Sequence, residues 1–313
     1  MRHRRRCAFR EQGETRIMPT LNRREFLRRG TNALAATAAL SRAGAVAAAG
    51  LPKATDMRTL GTTGLQCSYL GIGTGIKGRG PGITELTLKL TGEQIIGLLE
   101  HAYQRGVTYF DMADRYGSHV YMREAMKRSI PREKVMLLSK VWSREPEWVK
   151  KDIERFRREL DTDCVDIVLM HCLRYGEEDW PGTLKANMDI LADAKAEGHI
   201  RAHGVSCHIL PGLERVAETE WADVVLARIN PFNSHMDGPV EKVAPILKKI
   251  HDAGKGVLGM KILGEGDPKV VEKMDESLRF VGSTGSVDAM TIGFMSTNEL
   301  DEVIGRIDAL ATE

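Results

Sequence analysis

Four side chains that together could move a proton onto a carbonyl oxygen stand at or just beyond the ends of short apolar runs: Asp111, Tyr116, Lys140 and His171. Lys140 lies inside Val-Met-Leu-Leu-Ser-Lys-Val, where an ammonium is expensive unless something pairs with it. Asp111, at the end of the preceding run, can supply that partner. A cation beside the phenol of Tyr116 would favour phenolate and lower its pKa, making a usable proton donor near neutral pH. His171 can orient a carbonyl oxygen by hydrogen bond. Each residue alone reads as a cap or a satisfied polar group. Four compatible groups on three neighbouring strands read as a site.

The elements that must hold them alternate. Strand-like runs are expected at Tyr69–Gly73, Thr108–Met112, Val135–Val141, Asp166–His171, Ala202–Ser206, Val224–Asn230, Val257–Lys261 and Ala289–Phe294. Helical spacing fills the intervals, as at Gly92–Arg105, Glu147–Leu160, Leu184–Glu197 and Val240–Ala253. Gly106, Gly198 and Gly254 fall where helices need a left-handed closing residue. Continuous apolar strands alternating with helices imply a parallel sheet, and eight such units imply a closed α/β fold, the (β/α)8 TIM barrel. Gly71-Ile-Gly-Thr-Gly-Ile-Lys-Gly78 superficially resembles a dinucleotide fingerprint, but no apolar helix opens after it. Because chemistry in a barrel sits at the C-terminal strand ends, the candidates are Asp111, Lys140, His171, Ser206, Asn230 and Lys261.

The 313 residues, less a leader, match one barrel, and 42% hydrophobic with 28% charged residues is ordinary for a globular enzyme. The net charge of +2 hides an asymmetry: residues 1–50 hold 11 Arg and 3 Glu, so the remainder is acidic. The barrel therefore presents no electrostatic case for nucleic acid. Five cysteines, Cys7, Cys67, Cys164, Cys172 and Cys207, form no C-x-x-C pair, which argues against a disulfide framework or a structural zinc. Cys172 and Cys207 flank the expected pocket beside His171 and His208, but the spacing is unspecific, and no metal is expected.

Residues 1–50 read as a leader, with the barrel over 56–313. Asn-Arg-Arg-Glu-Phe-Leu-Arg at 22–28 precedes an Ala-rich run, and the paired Arg23–Arg24 resembles a twin-arginine signal. Arg42 interrupts the apolar run, so no permanent membrane anchor is expected. The implied partner is the twin-arginine translocation machinery, and the implied location is the bacterial periplasm. Met18 is the expected true start, with 1–17 an over-long gene call; an upstream N-terminal peptide from the native protein would refute that.

Asp111, Tyr116, Lys140 and His171 resemble, in order and in Asp-x4-Tyr-Gly spacing, the catalytic tetrad of aldo-keto reductases. The resemblance runs over roughly residues 58–304. It begins with Arg-Thr-Leu-Gly-Thr-Thr-Gly-Leu, which is similar to the family's opening hairpin. It includes Gly204-Val205-Ser206 and Met260-Lys261-Ile262-Leu263-Gly264. It implies a nicotinamide-dependent carbonyl oxidoreductase acting on a small-molecule carbonyl substrate. Tyr116 would be the general acid, tuned by Lys140 and Asp111, and His171 would position the substrate oxygen. No metal is implied.

The resemblance implies cofactor contacts at Ser206, Cys207, Met260, Lys261, Leu263, Gly264 and Glu299. Three positions depart from the family pattern. Cys207 stands where Asn is usual, Leu226 where Gln is usual, and Met260 where an aromatic often stacks on nicotinamide. Glu299 falls where NADP-preferring members place Arg; a carboxylate suits a ribose hydroxyl and repels a phosphate. NADP(H) and NAD(H) both stay open. Loops Lys77–Leu90 and Leu173–Trp180 are expected to set specificity, with Trp142 and Trp180 as pocket-lining candidates. An isomerase or dehydratase that retains its cofactor, or a non-catalytic binding subunit, are the alternative roles for such a barrel.

Overall fold

The computed structural model describes residues 50–78 and 80–313. The leader expectations fall on residues 1–49, outside the described residues. A short antiparallel hairpin, β1 (Met57–Thr59) and β2 (Gln66–Ser68), precedes eight parallel strands. These are β3 (Leu70–Gly73), β4 (Tyr109–Asp111), β5 (Met136–Val141), β6 (Val165–Leu173), β7 (Ile200–Cys207), β8 (Val224–Arg228), β9 (Gly256–Met260) and β10 (Ala289–Ile292). They pair in sequence order and β10 closes on β3, so the expected barrel is the observed one. Among the described residues no helix is long and apolar enough to cross a membrane.

Strand pleating sends alternate side chains to opposite faces, which gives two cores. Tyr109, Leu138, Leu169, Ala202, Leu226 and Leu258 belong to the group that fills the barrel, with Leu60, Leu65 and Cys67 of the hairpin closing its N-terminal end. The other face packs Phe110, Leu137, Val168 and Val225 against the helices. The hairpin turn requires Gly61: at φ +47° it brings its backbone so close that a Cβ would lie 2.3 Å from the Gly254 carbonyl oxygen.

The same period of two decides which residues face the mouth. Continuing inward from Tyr109, Leu138 and Leu169, the next inward positions are Asp111, Lys140 and His171. Helices are held by local chemistry. Thr91 caps Gly92–Gln104 in a reciprocal box with Gln94, and Pro146 starts Pro146–Leu160, whose Val149, Ile153, Phe156 and Leu160 form the buried stripe. Strand β6 runs longer than its apolar pattern, with a register shift between Met170 and Leu173. That irregularity leaves Cys172 at φ +59°, and its N–H donates to Ser206 Oγ at 2.7 Å.

Candidate active site

Lys140 is buried at the end of β5, and its Nζ donates to Asp111 Oδ1 and to the Met112 carbonyl at 2.8 Å. The expected partner is the observed one. Tyr109 adds a hydroxyl 3.4 Å from Asp111 Oδ2. Tyr116 comes from the loop after β4 and places its ring 4.8 Å from Lys140 Nζ. Its hydroxyl is 3.3 Å from His171 Nε2. That loop is fixed by backbone contacts, and Gly75 makes room for the phenol: a Cβ there would lie 2.3 Å from the ring.

One electrostatic expectation is overturned. The Tyr116 phenol is pushed well above its ordinary pKa, first by burial and then by the Asp111 charge. Lys140 does not make it a phenolate because Asp111 offsets the ammonium, so the hydroxyl keeps its proton and remains a donor. Burial also pulls Lys140 below the usual lysine range, against the opposing pull of Asp111. His171 is held below its ordinary value, mainly by burial and also by Lys140, so its ring is neutral at pH 7. Asp114 Oδ1 lies 3.5 Å from His171 Nδ1. A carboxylate there favours the Nδ1–H tautomer, in which Nε2 accepts from the Tyr116 hydroxyl.

A cleft of about 570 Å³ opens from this group across the C-terminal face of the barrel. Tyr116, Lys140 and Asp111 lie at one end and Glu299, Glu302 and Arg306 line the other. That volume is in the range of cofactor sites. Lys77, Lys261, Leu263, Glu265 and Gly266 also form the walls of the cleft, and Thr291 holds a buried hydroxyl without a protein partner there. Lys77, Lys261 and Glu265 all hold positive φ, clustered around the cleft, as strained residues do at binding sites. A cleft of this volume with an unsatisfied hydroxyl and two lysines among its lining residues fits a dinucleotide.

The structure brings some sequence candidates together and separates others. Met260, Lys261, Leu263, Glu299 and Leu226 line the cleft. Lys261 Nζ is already paired with Glu265 Oε1 at 2.8 Å, and Glu299 accepts from the Met295 N–H at 2.7 Å. Ser206 is spent on Cys172, and Gly264 is buried beside Ser234 and Val270 rather than among the cleft-lining residues. Cys207 is fully buried in the core between strands and helices, because the inward position on β7 belongs to Ser206. Asn230 clamps its own loop, bonding Phe232, Ser234 and Lys261 backbone groups. Trp180 is core, donating from Nε1 to Gly212 O at 3.0 Å, whereas Trp142 sits edge-on to His171 at 5.5 Å.

Cys172 and Cys207 are free thiols, burial raises both, and no metal-holding group exists among the described residues. Sequence reasoning missed Asp114, Arg228 and Arg306. Arg306 shares a face with Glu299 and Glu302 on helix Thr297–Leu310, a spacing of seven and four that could have exposed it. Arg228 is on the inward side two residues beyond Leu226; it bonds His208 and lies 3.5 Å from the buried Asp237 carboxylate.

A closed parallel barrel whose mouth holds a Lys–Asp pair under a Tyr–His pair defines a carbonyl-oxidoreductase class of site, and residues 70–288 match the aldo/keto reductase family. The chain belongs to that family, whose members are oxidoreductases that use nicotinamide cofactors on small-molecule carbonyl substrates. It is similar to the NADH-specific methylglyoxal reductase of Escherichia coli, 27% identical over 201 residues, covering 57% of this chain and 60% of that protein. L-galactose dehydrogenase of Arabidopsis thaliana is 25% identical over 163 residues, 48% of each chain. The chain spans between about a third and three fifths of the length of the first curated relatives it matches. Among solved structures, a Pseudomonas aeruginosa protein provisionally described as an aldo-keto reductase superposes with TM-score 0.67 at 25% identity, covering 84% of this chain and 98% of that one. The holo form of an aldo-keto reductase from Bacillus halodurans superposes with TM-score 0.65 at 15% identity, covering 82% and 95%, a likeness of fold.

Proposed function

We propose that this chain reduces a small carbonyl compound, or oxidises the corresponding alcohol, with Tyr116 as the proton donor or acceptor. The observation that carries this reading is the placement of the Tyr116 hydroxyl 3.3 Å from His171 Nε2, above the Lys140–Asp111 pair and at the floor of the cleft. A carbonyl oxygen at that hydroxyl receives its proton from a group that is neutral and fully protonated at pH 7. Lys140 fixes the local charge and, with Asp111, holds the floor rigid. His171 orients the phenol and lies beside the same oxygen. Bound nicotinamide supplies the hydride; Met260 and Leu226 would line its ring and Lys261 and Lys77 its phosphates.

We further propose a preference for NAD(H). At the far end of the cleft Glu299 and Glu302 face the adenosine side, and the nearby cation, Arg306, is already bonded to Glu302 and Asp275. A ribose hydroxyl suits carboxylates; an added phosphate does not. We also propose, from the twin-arginine pattern alone, that the protein is exported to the periplasm. Fractionation of cells with and without the twin-arginine translocase tests it, and a wholly cytoplasmic mature protein would sink it.

The test of function is turnover of a panel of aldehydes with NADH and NADPH, alongside Tyr116→Phe. Loss of the donor is expected to lower kcat about 10²- to 10⁴-fold. Undiminished turnover in Tyr116→Phe refutes the assignment. Leu226 and Met260 leave their end of the cleft poor in amide-binding groups, which favours a cofactor-retaining or non-catalytic role as the second reading. A nicotinamide that co-purifies without exchanging, with no aldehyde turned over, would support that second reading.

A further inference from the structure

The cleft is nearly balanced in charge along its length, with Lys77, Lys261 and Arg306 set against Glu85, Glu265, Glu299 and Glu302. The side of the mouth next to His171 is different. Trp142 lies edge-on to His171 at 5.5 Å, and two guanidinium groups stack on its indole: Arg115 at 4.1 Å and Arg174 at 4.7 Å from the ring centroid. Among the described residues neither guanidinium forms an ion pair. The neighbouring acids are already engaged. Glu177 binds Arg144 through both carboxylate oxygens, at 2.6 and 2.9 Å, and Glu178 accepts the Gly176 N–H. Asp114 lies toward His171 and accepts the Trp142 N–H at 2.7 Å.

This slab is held in place from below. The Trp142 N–H is fixed by Asp114, and its carbonyl accepts from Arg144 at 3.0 Å. The Arg115 carbonyl accepts the Gly82 N–H at 2.8 Å, tying its loop to the segment that overlies it. Glu177 accepts the Arg174 backbone N–H at 3.1 Å and feels its charge, but the two guanidinium groups stacked on one indole, one ring from the reacting centre, keep N–H donors free for an anion. A guanidinium presents parallel N–H donors that match a planar carboxylate.

We propose that Arg115 and Arg174, mounted on Trp142, bind a carboxylate of the substrate, so that the chain acts on aldehydes or ketones bearing a carboxylate a few atoms from the carbonyl. This rests on the reductase reading for the role of the second group, the carbonyl at Tyr116, but not for the binding of the anion. The cations select the acid over a neutral carbonyl of the same shape, and their separation from His171 sets the spacing between the two groups.

The test uses the full-length protein and two aldehydes of nearly identical shape, 4-carboxybenzaldehyde and 4-formylbenzamide. Affinity is measured by calorimetric titration with and without NAD⁺, and kcat/KM with NADH. The acid is expected to bind at least about tenfold more tightly than the amide, as a charge-assisted contact gives, and to lose that advantage in the Arg115→Gln/Arg174→Gln double variant. Arg115→Lys/Arg174→Lys, which keeps charge but not the planar fork, is expected to fall between; its circular dichroism checks that the barrel survives. Equal affinity for the two aldehydes, or a preference for the acid that persists in the double Gln variant, overturns the proposal. Selective binding of the acid without reduction of either aldehyde leaves the carboxylate site standing and removes the reductase reading. Equal reduction of both, with equal affinity, does the reverse.

Discussion

Removing the Lys140 ammonium separates its structural role from its chemical one. Lys140 is 1% exposed, and its Nζ bonds Asp111 and Met112 beside a barrel core of mostly apolar side chains. Lys140→Met keeps the volume and leaves the Asp111 carboxylate buried with only the Tyr109 hydroxyl, 3.4 Å away, as a side-chain partner. Breaking one side of a buried pair costs about 3–5 kcal/mol. For a domain of this size that lowers Tm by roughly 10 °C. Replacing both partners, Lys140→Met with Asp111→Leu, removes the uncompensated charge and is expected to recover stability to within ~1–2 kcal/mol of the parent. Turnover, in contrast, should stay down in both variants, because the group beneath Tyr116 is gone. Urea unfolding at pH 7, with aldehyde turnover on the same samples, gives both readouts. A single variant that loses under about 1 kcal/mol, or a double variant no more stable than the single one, would refute the account of a charged buried pair.

Gly75→Ala should place a methyl against the Tyr116 ring, where a Cβ would lie only 2.3 Å away. A displacement of about 1 Å is expected to lower kcat on the order of 10²-fold with a folded circular dichroism spectrum, and unchanged kcat would count against the loop geometry. His203 stacks on Trp221 at 4.4 Å, and burial holds its pKa down at about 4. Between pH 6.5 and about 4 the unfolded chain takes up a proton that the folded one refuses, so stability falls on acidification by up to about 1.4 kcal/mol per pH unit. His203→Phe, which keeps the stack, should flatten that acid slope in urea titrations; an unchanged slope would show that His203 does not contribute it. Glu299→Gln keeps the acceptor for the Met295 N–H and removes the charge. The ratio of NADPH to NADH affinity should move toward NADPH by roughly 2- to 5-fold, the size of one partly exposed charge contact, and nicotinamide fluorescence titration shows whether it does.

The tetrad was legible because Asp111, Lys140 and His171 end apolar runs and Tyr116 follows in the loop after the first of them, and the runs alone set the order of the strands. Parallel pairing in sequence order then made Asp111, Lys140 and His171 neighbours at the mouth. Strand limits moved by at most two residues at either end, as at β6, where the register shift extends pairing to Leu173. Cys207 illustrates the limit of reading by correspondence: it stands in the expected place along the chain, yet β7 turns it outward into the helix layer. Trp180 and Trp142 were equivalent in sequence, and only packing sent one to the core and the other to the mouth.

The sequence by itself determined the barrel, because a period of two inside apolar runs and a period near 3.6 between them leave few ways to bury both faces. It also placed the proposed proton-moving groups, since polar residues at the ends of buried parallel runs meet at the barrel mouth. The tertiary structure alone decided their electrostatics. The phenol of Tyr116 rises in pKa rather than falling, because burial dominates and the Asp111 charge adds to it. It also decided which cations lack partners. Arg144 and Arg306 are neutralised by acids distant in sequence or across a helix turn, whereas Arg115 and Arg174 meet on one indole. A pKa and an ion pair both depend on distances and burial among residues far apart in the chain, and those are fixed only when the barrel closes.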